Sequence, residues 1–361
     1  MHINKLSFQN LRCLELIALD ASKSLNFIVG PNNAGKTTIL ESIHLLSCSK
    51  TFRATHLDKM IQNGKKYLKI VSKISNKSLN DVICIEKHLK SPKVSTINDN
   101  KVSTKECLCK LPVISLCFGV ENLFNTSSDN RRSLIDGGLF HVKHEYLSKL
   151  QNYNKTLIAR NKSLKNKSDL DVSFWTNKLI DKGMLVNEYR SRYMDDLSVH
   201  FIKTLSELSN NSSLYSDISD AFFCYRTGYS NKPLQTQYQE CLDKDKALGY
   251  TTIGPHRADI EFKILEDSVK DIASMSTQII LSLCFVIAQT RAFHVKHGHY
   301  PVLLIDDIFF GIDDKNLAVM IKLLSNSGAQ CFLTAPDLYN EKVKEIIDSS
   351  HNKLFTLVDK K

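Results

Sequence analysis

Residues 25–37 read LNFIVGPNNAGKT and place a Gly-rich loop between two regular elements. Residues 25–29 are apolar except for Asn26, as in a buried strand. Residues 30–37 have the spacing GxxxxGK[ST] of a phosphate loop. Residues 38–48 then carry apolar side chains at helical spacing. The order of strand, loop and helix predicts an α/β nucleotide-binding fold.

The residue types of this loop suit the phosphates of ATP. Glycines let backbone N–H groups turn inward around phosphate oxygens, and the helix N-terminus adds a positive dipole. Lys36 supplies positive charge to the β- and γ-phosphates, which also gives it a predicted catalytic role. The Thr37 hydroxyl is a candidate ligand of Mg²⁺. The predicted ATP-binding residues are Gly30, Pro31, Asn32, Asn33, Ala34, Gly35, Lys36, Thr37 and Thr38.

A second Mg²⁺ ligand is expected at the end of a neighbouring strand. Residues 302–305 form an apolar run, and Asp306 and Asp307 follow it directly. We predict that Asp306 binds Mg²⁺ and that Asp307 orients or deprotonates the attacking water. The alternative is that these carboxylates only end a strand. Lys36 and Asp306 are 270 positions apart, so a large insertion interrupts one nucleotide fold.

The insertion reads as mainly helical. Residues 139–164 carry one apolar stripe that predicts a long helix, and residues 175–197 carry a second stripe. The polar stretch between them predicts an antiparallel arm, whose aromatic residues fit core packing better than base stacking. A further helix is predicted over residues 271–295. We therefore predict an ATPase head from residues 1–120 and 245–361, with a helical arm at 121–244.

Composition limits the class of protein. Hydrophobic residues make up 42% of the 361 residues and charged residues 24%, which excludes a disordered or fibrous chain. The formal net charge of +10 fits an anionic partner or plain solubility. The longest apolar stretch, near residues 279–288, is too short to cross a membrane. The N-terminus lacks an apolar signal region, and the ten cysteines include no CxxC pair. We expect a cytoplasmic protein with no membrane partner.

Several segments beyond the phosphate loop resemble the RecF family of bacterial recombination and repair ATPases, which is of the ABC/SMC-head class. The resemblance extends over nearly the whole chain. The segments that carry it are residues 51–53 (TFR), 131–147, 225–228 (YRTG), 249–259 (GYTTIGPHRAD) and the strand that ends in Asp306 and Asp307. The resemblance implies an α/β, ABC-type ATPase head, with a P-loop sheet, an antiparallel β lobe and an inserted helical arm.

ATP lies between two subunits in ABC-type heads, so the resemblance implies an ATP-dependent homodimer. It also implies that Ser274 is the signature serine that reaches the γ-phosphate of the partner subunit. The chain departs from the family pattern nearby, because Ser276 and Thr277 stand where the family usually has Gly and Gln. The remaining departures are Asn33 in the phosphate loop, Gly119 near the expected polar loop, and Phe309 to Asp313 after the acidic pair. We expect ATP binding with slow turnover.

Clustered positive charge suggests a nucleic-acid partner. Residues 50–110 hold 14 Lys or Arg against five Asp or Glu, and residues 141–192 hold 11 against five. Such patches suit salt-sensitive, sequence-independent contacts with DNA phosphates. A solvated lysine-rich face is the alternative reading. The predicted DNA-binding residues are Lys65, Lys66, Lys69, Lys87 and Lys90.

The resemblance implies a DNA-binding ATPase of recombinational repair and replication restart. Its implied partners are double-stranded and gapped DNA and the mediators RecO and RecR, with which it helps to load recombinase. Two other functions stay open. One is a degenerate, nucleotide-responsive DNA clamp with little hydrolysis, and the other is the nucleotide-binding subunit of an ABC transporter. The long insertion and the incomplete signature argue against the transporter.

Overall fold

The computed structural model describes residues 1–48, 56–76, 79–117, 123–211, 213–346 and 351–358. The chain divides into two compact units. The head unit comprises Met1–Asn122 and Ser274–Lys361, and the inserted unit comprises Leu123–Ala273. The head unit is therefore built from the two ends of the chain, as the separation of Lys36 from Asp306 predicts.

The first sheet of the head unit is six-stranded, with the order β2-β1-β4-β5-β6-β7 and antiparallel pairing throughout. Side chains along its strands alternate between core and solvent, as a sheet with one buried face requires. In β4, for example, Leu68 and Ile70 are fully buried whereas Lys73 is exposed. The strands are β1 His2–Leu11, β2 Leu14–Asp20, β4 Tyr67–Asn76, β5 Leu79–His88, β6 Val94–Ile97 and β7 Asn100–Lys101.

The second sheet of the head unit is five-stranded and parallel, with the order β14-β3-β13-β12-β8. Its strands are β3 Leu25–Gly30, β8 Val113–Cys117, β12 Val302–Asp306, β13 Cys331–Pro336 and β14 Lys353–Thr356. The helices of the head unit are α1 Lys36–Cys48, α2 Thr104–Lys110, α9 Met275–His297, α10 Asp314–Asn326 and α11 Asn340–Ile346. Short 3₁₀ turns occur at Leu57–Met60 and Asp337–Tyr339.

Helix α1 lies between the two sheets and packs against both, so the phosphate loop that precedes it is joined to the core of the head unit. Ile43 of α1 is fully buried, and it belongs to one core with Ile85 of the antiparallel sheet and Phe332 of the parallel sheet. Burying each such side chain stabilises the fold by about 1.5–3 kcal/mol.

Helix α9 is the one helix, within the part of the chain that the structure describes, that is long and apolar enough to cross a membrane. Its 23 residues extend beyond the short apolar stretch read from the sequence. The apolar window of α9 is 78% buried inside the protein, as expected for a core helix.

The inserted unit contains helices and a small sheet. The helices are α3 Ser128–Val142, α4 Tyr146–Lys165, α5 Asp169–Asn211, α6 Leu234–Glu240, α7 Leu242–Leu248 and α8 Val269–Ile272. The strands are β9 Ala221–Arg226, β10 Asp259–Ile264 and β11 Asp267–Ser268, in the order β11-β10-β9. Short 3₁₀ turns occur at Ser213–Ile218 and Pro255–Arg257.

The antiparallel pairing predicted for the two long helices is confirmed. The Tyr189 hydroxyl of α5 donates a hydrogen bond to Glu145, at the start of α4, over 2.7 Å. Near the other end, Arg160 Nε of α4 donates to the Thr176 hydroxyl of α5 over 2.8 Å. The start of α4 thus lies beside a later part of α5, and the end of α4 lies beside the start of α5. The two helices are therefore antiparallel.

Three features differ from the sequence prediction. The single helix predicted over residues 139–164 is broken, because α3 ends at Val142 and α4 begins at Tyr146. The helix predicted over residues 271–295 is also broken, because Ser274 caps the N-terminus of α9. Residues 245–273, which the sequence assigned to the head, lie in the inserted unit. The reason is that β10 pairs with β9 of that unit along six residues.

The family-like segments 131–147, 225–228 and 249–259 pack together inside the inserted unit. Arg131 forms a two-pronged ion pair with Asp259, with both N–O distances at 2.7 Å. Arg190 pairs with Asp136 and also donates to the Pro255 carbonyl over 2.7 Å. Gly228 lies so close to this loop that a Cβ would approach the backbone oxygen of Gly254 to 2.3 Å. These contacts give the segments a packing role.

A buried ion pair fixes the start of the 249–259 segment. The side chains of Arg160 and Asp245 are both fully buried and lie 2.7 Å apart. Arg160 also donates to the Thr251 hydroxyl over 2.7 Å, and Asp245 accepts from the Thr252 backbone over 2.9 Å. Removing one partner would leave an uncompensated charge in the interior, which typically costs about 3–5 kcal/mol.

Candidate nucleotide-binding site

The order of the parallel sheet brings the predicted site residues to one edge. Strand β13 pairs with β3 on one side and with β12 on the other. Because the three strands are parallel, their carboxyl ends meet at the same edge of the sheet, which is where ligands bind in such sheets. The phosphate loop after β3 therefore lies beside Asp306 at the end of β12.

The backbone of the phosphate loop requires particular residues at two positions. Gly35 has φ +97°, and a Cβ there would come within 2.8 Å of the Leu14 side chain and 2.9 Å of the Cys13 sulfur. Asn33 has φ +65°, a left-handed conformation that asparagine tolerates better than most residues. Asn33 can therefore replace the usual family glycine without a large cost.

The Lys36 ammonium group lies inside the loop. Its Nζ donates to the carbonyl oxygens of Gly30 and Pro31 over 2.7 and 2.8 Å, and the residue is only 8% exposed. Burial lowers the pKa of Lys36, and the carboxylates of Asp307, Asp306 and Asp337 oppose that shift, in decreasing order. The ammonium is thus positioned at the carboxyl edge of the sheet, among three acidic residues.

A hydrogen-bond network joins the loop to the acidic pair. The Thr37 hydroxyl lies 3.1 and 3.0 Å from the two carboxylate oxygens of Asp306. Thr334, in the second half of β13, donates its hydroxyl to Asp306 over 2.7 Å and accepts the backbone N–H of Asp307 over 2.8 Å. Asp306 is 1% exposed, so these hydroxyls fix its orientation.

Thr334 is a positioning residue that the sequence reading missed. We expect Thr334→Val to lower ATP turnover about tenfold, because the valine leaves the Asp306 carboxylate and the Asp307 N–H without their hydroxyl partner at a cost of about 1–3 kcal/mol. Thr334→Ser keeps the hydroxyl and should retain most of the turnover. Steady-state hydrolysis at several Mg²⁺ concentrations measures the effect. Equal turnover in the valine variant and the parent protein would contradict this role.

The predicted Mg²⁺ ligands fit the ion. Thr37 and Asp306 present a hydroxyl and a carboxylate within 3.1 Å of each other, and hard oxygen donors are what Mg²⁺ prefers. Mg²⁺ in nucleotide sites is usually held by one or two protein groups together with phosphates and water. Two neighbouring oxygen ligands are therefore compatible with the predicted Mg²⁺ site.

Two further residues at the site were missed by the sequence reading. Arg12, in the turn between β1 and β2, donates to the Thr38 hydroxyl over 3.2 Å and pairs with the buried Glu41 at 2.6 Å. It ties the antiparallel sheet to the first turns of α1. Asp337 follows β13, and its carboxylate opposes the lowering of the Lys36 pKa by burial. The sequence signal for Asp337 was its place directly after a buried strand.

Ser274 caps α9. Its hydroxyl accepts the backbone N–H of Thr277 over 3.2 Å and lies 2.9 Å from the Thr277 hydroxyl. Thr277, one of the departures from the family signature, therefore engages the serine hydroxyl directly. Gly311, with φ +67°, brings the segment after Asp307 close to Met275 of α9, since a Cβ there would lie 3.2 Å from the Met275 Cγ.

The five lysines predicted to contact DNA have different surroundings. Lys66 and Lys90 are exposed, Lys65 lies 3.5 Å from Glu15, and Lys69 lies 3.9 Å from Glu86. Lys87 is 7% exposed; it pairs with Asp58 and donates to the carbonyls of His88 and Ser91, each over 2.7 Å. The structure therefore gives Lys87 an internal role and leaves the other four on or near the surface.

The family-like segment 51–53 and Gly119, which departs from the family pattern, lie outside the residues that the structure describes.

A phosphate loop on a parallel sheet, an antiparallel β lobe and an inserted helical unit define a P-loop ATPase head of the ABC/SMC type. The match to a family model, over residues 2–351, is to the RecF/RecN/SMC N-terminal domain. The chain belongs to this family, and the predicted resemblance to RecF is confirmed.

Individual relatives agree with this assignment. The DNA replication and repair protein RecF of Hahella chejuensis is 28% identical over 346 residues, which cover 93% of this chain and 92% of that protein. The solved structure of the recombination mediator protein RecF-ATPrS in the RecFOR pathway has a TM-score of 0.78 at 24% identity. It covers 93% of this chain and 92% of its own. An SMC head bound to the C-winged helix domain of ScpA has a TM-score of 0.55 at 16% identity, covering 93% of this chain and 90% of its own.

Proposed function

We propose that this protein binds ATP with Mg²⁺, binds DNA, and acts in recombinational DNA repair and replication restart. The observation that carries the proposal is the meeting of Lys36, Thr37, Asp306 and Asp307 at one edge of the parallel sheet. The likeness to RecF over 93% of the chain supports the repair role. RecO and RecR are the proposed partners in loading recombinase, since a similar structure is of RecF in the RecFOR pathway.

The residues of the site have distinct proposed roles. The loop N–H groups and the Lys36 ammonium bind the β- and γ-phosphates. Thr37 and Asp306 would hold Mg²⁺, which neutralises charge on the phosphate oxygens. Asp307 orients the attacking water or accepts its proton. Thr334 keeps both aspartates in place through the hydrogen bonds described above.

The proposed ATP complex is a homodimer in which Ser274 of each subunit contacts the γ-phosphate in the partner. Since Thr277 hydrogen-bonds to Ser274 and Ser276 adds a side chain, we expect this contact to be weaker than with the usual Gly and Gln. These departures favour a second candidate function, a nucleotide-responsive DNA clamp that barely hydrolyses ATP. ATP turnover measured with and without duplex DNA distinguishes the two candidates.

The solvent face of the antiparallel sheet is the proposed DNA-contact surface. Lys69 lies in β4, and the proposed surface extends to Lys65 and Lys66 just before β4 and to Lys90 just after β5. The register also places Lys5 of β1 directly opposite Lys73 of β4. Asp20, across from Lys5 on the other side and 3.7 Å from its ammonium, offsets part of the repulsion between these like charges, and an anionic ligand lying over them would relieve the rest. A phosphate backbone supplies such an anion without sequence specificity.

Neutralising two exposed lysines tests this surface. We expect Lys66→Gln with Lys90→Gln to weaken duplex binding several-fold and to lower the slope of log affinity against log salt by about two, because each lost phosphate contact releases fewer counterions. Fluorescence anisotropy at several salt concentrations measures both quantities. The matched control is Lys315→Gln with Lys322→Gln, two exposed lysines of α10. If both double variants behave alike, the lysines form only a solvated face.

A further inference from the structure

A cavity of about 240 Å³ lies beside strand β10 of the inserted unit. Its lining includes four successive residues of β10, which are Asp259, Ile260, Glu261 and Phe262. Successive side chains of a strand point to opposite faces of the sheet. A cavity that meets all four therefore lies along the edge of β10, in the place of a neighbouring strand, and not over one face of the sheet.

The strand on this side of β10 is too short to cover its edge. Strand β11 pairs only with Lys263 and Ile264, whereas β9, on the other side, pairs with all six residues of β10. Within the part of the chain that the structure describes, no strand lies beside Asp259, Ile260 and Glu261 on the β11 side. The backbone N–H of Ile260 donates instead to the neighbouring Asp259 carboxylate over 2.9 Å.

The residues on one face of this edge are apolar. Ile260 and Phe262 are 4% and 5% exposed, and Leu123 and Phe124, which also line the cavity, are equally buried. The rings of Phe124 and Phe262 lie with their centroids 5.0 Å apart. We call these four residues the apolar wall of the cavity. It offers contact to apolar side chains of a ligand.

The other face of the edge carries charge. Arg131 forms the two-pronged ion pair with Asp259, and Arg226 pairs with Glu261. With the exposed Lys270, which also lines the cavity, three cations stand against two carboxylates. Each carboxylate is already bound by an arginine, so the lining favours a ligand with negative charge. We call these five residues the charged wall.

We infer that an extended segment of a partner protein binds in this cavity as an additional strand beside β10, and that its acidic and apolar residues alternate. A peptide that adds to a sheet edge gains affinity from main-chain hydrogen bonds and specificity from its alternate side chains. The alternation follows from the two walls, because one face of the added strand meets the apolar wall and the other meets the charged wall. A peptide carbonyl can accept the Ile260 N–H, since Asp259 keeps both hydrogen bonds from Arg131.

Fluorescein-labelled, C-terminally amidated pentapeptides test the surface by fluorescence anisotropy with the full-length protein. The probe is Val-Glu-Val-Glu-Val. One control is Val-Lys-Val-Lys-Val, which reverses the charge, and the other is Val-Val-Val-Glu-Glu, which keeps the composition and breaks the alternation. We expect the probe to bind at least about tenfold more tightly than either control, with and without ATP.

A charge reversal and hydrogen exchange locate the bound peptide. We expect Lys270→Glu to weaken binding of the probe about tenfold, because like charges would then face each other. The matched control is Lys203→Glu, which makes the same change at an exposed lysine of α5 and should bind the probe as the parent does. The probe should also slow amide exchange in residues 259–262 of the parent protein, since strand addition hydrogen-bonds the backbone at this edge.

Four results would overturn the inference. The first is equal affinity for the three peptides, or equal binding of the probe by the two lysine variants. The second is binding without slower exchange in residues 259–262, which would place the peptide elsewhere. The third is displacement of the probe by free glutamate at an equal concentration, which would indicate a site for small anions. The fourth is protection of residues 259–262 that rises with protein concentration without peptide, which would indicate that a second copy of this chain occupies the edge.

Discussion

Lys36→Ala should abolish productive ATP binding. The Lys36 ammonium is the cation of the phosphate loop, and its Nζ already lies 2.7 and 2.8 Å from the loop carbonyls. Hydrogen bonds to charged groups contribute about 1.5–3 kcal/mol each. Because the phosphates also lose an opposing charge, we expect ATP affinity to fall by about a hundredfold or more. Calorimetric titration with ATP and Mg²⁺ measures the loss.

The control for this variant is Lys322→Ala, which removes an exposed lysine of the same unit. Thermal unfolding of both variants shows whether the loop change has altered the fold, since Lys36 is buried and its removal takes one hydrogen-bond donor from each of two loop carbonyls. A Lys36→Ala protein that unfolds like the control and binds ATP as tightly as the parent would refute the assignment of this loop.

Asp307→Asn should separate ATP binding from hydrolysis. Asp307 has φ +57°, and asparagine tolerates this left-handed conformation nearly as well as aspartate. The backbone N–H that donates to Thr334 is kept. What is lost is the carboxylate assigned to the attacking water, and a positioned general base contributes about 10²–10⁴ in rate. We therefore expect nearly unchanged ATP affinity, turnover reduced about a hundredfold, and an ATP-bound dimer that persists.

Single-turnover hydrolysis and sedimentation of the same Asp307→Asn sample measure both effects. Asp313→Asn is a useful control, because Asp313 is an exposed aspartate that caps α10 by accepting from Lys315 and Asn316 over 2.9 and 3.0 Å. Turnover of Asp307→Asn equal to that of the control would show that another group activates the water.

The parts of the site that follow one another in the chain could be predicted from the sequence. The strand, loop and helix around Lys36 have a local pattern, and Asp306 ends an apolar run. Asp337 follows a buried strand directly, as Asp307 does, but neither it nor Thr334 could be assigned to the site, because that depends on β13 lying between β3 and β12. That order is a property of the whole sheet, and no local spacing encodes it.

The burial of Lys87 could have been predicted from the sequence. Ile83 and Ile85 alternate on the buried face of β5 and are fully buried. A period of two places Lys87 on that same face, and the structure indeed buries it beside Asp58. Counting charge along the segment cannot reveal which lysines face solvent, whereas strand periodicity can.

The C-terminal boundary of the insertion was predicted at residue 244, whereas the inserted unit extends to Ala273. The 249–259 segment reads as a loop followed by a strand, which is compatible with either unit. Its membership is decided by long-range contacts, such as the ion pairs of Arg160 with Asp245 and of Arg131 with Asp259. Pairs separated by 85 and 128 positions leave no periodic trace in a single sequence.

The most direct test of the central claim combines ATP hydrolysis with sizing of the same sample, with and without duplex DNA. The account predicts that ATP and Mg²⁺ convert the monomer to a dimer, that the dimer binds DNA in a salt-sensitive way, and that DNA raises a slow turnover. The account would be contradicted by a chain that stays monomeric with ATP, whose ATP turnover does not change when DNA is added, and whose DNA affinity does not change when ATP is added.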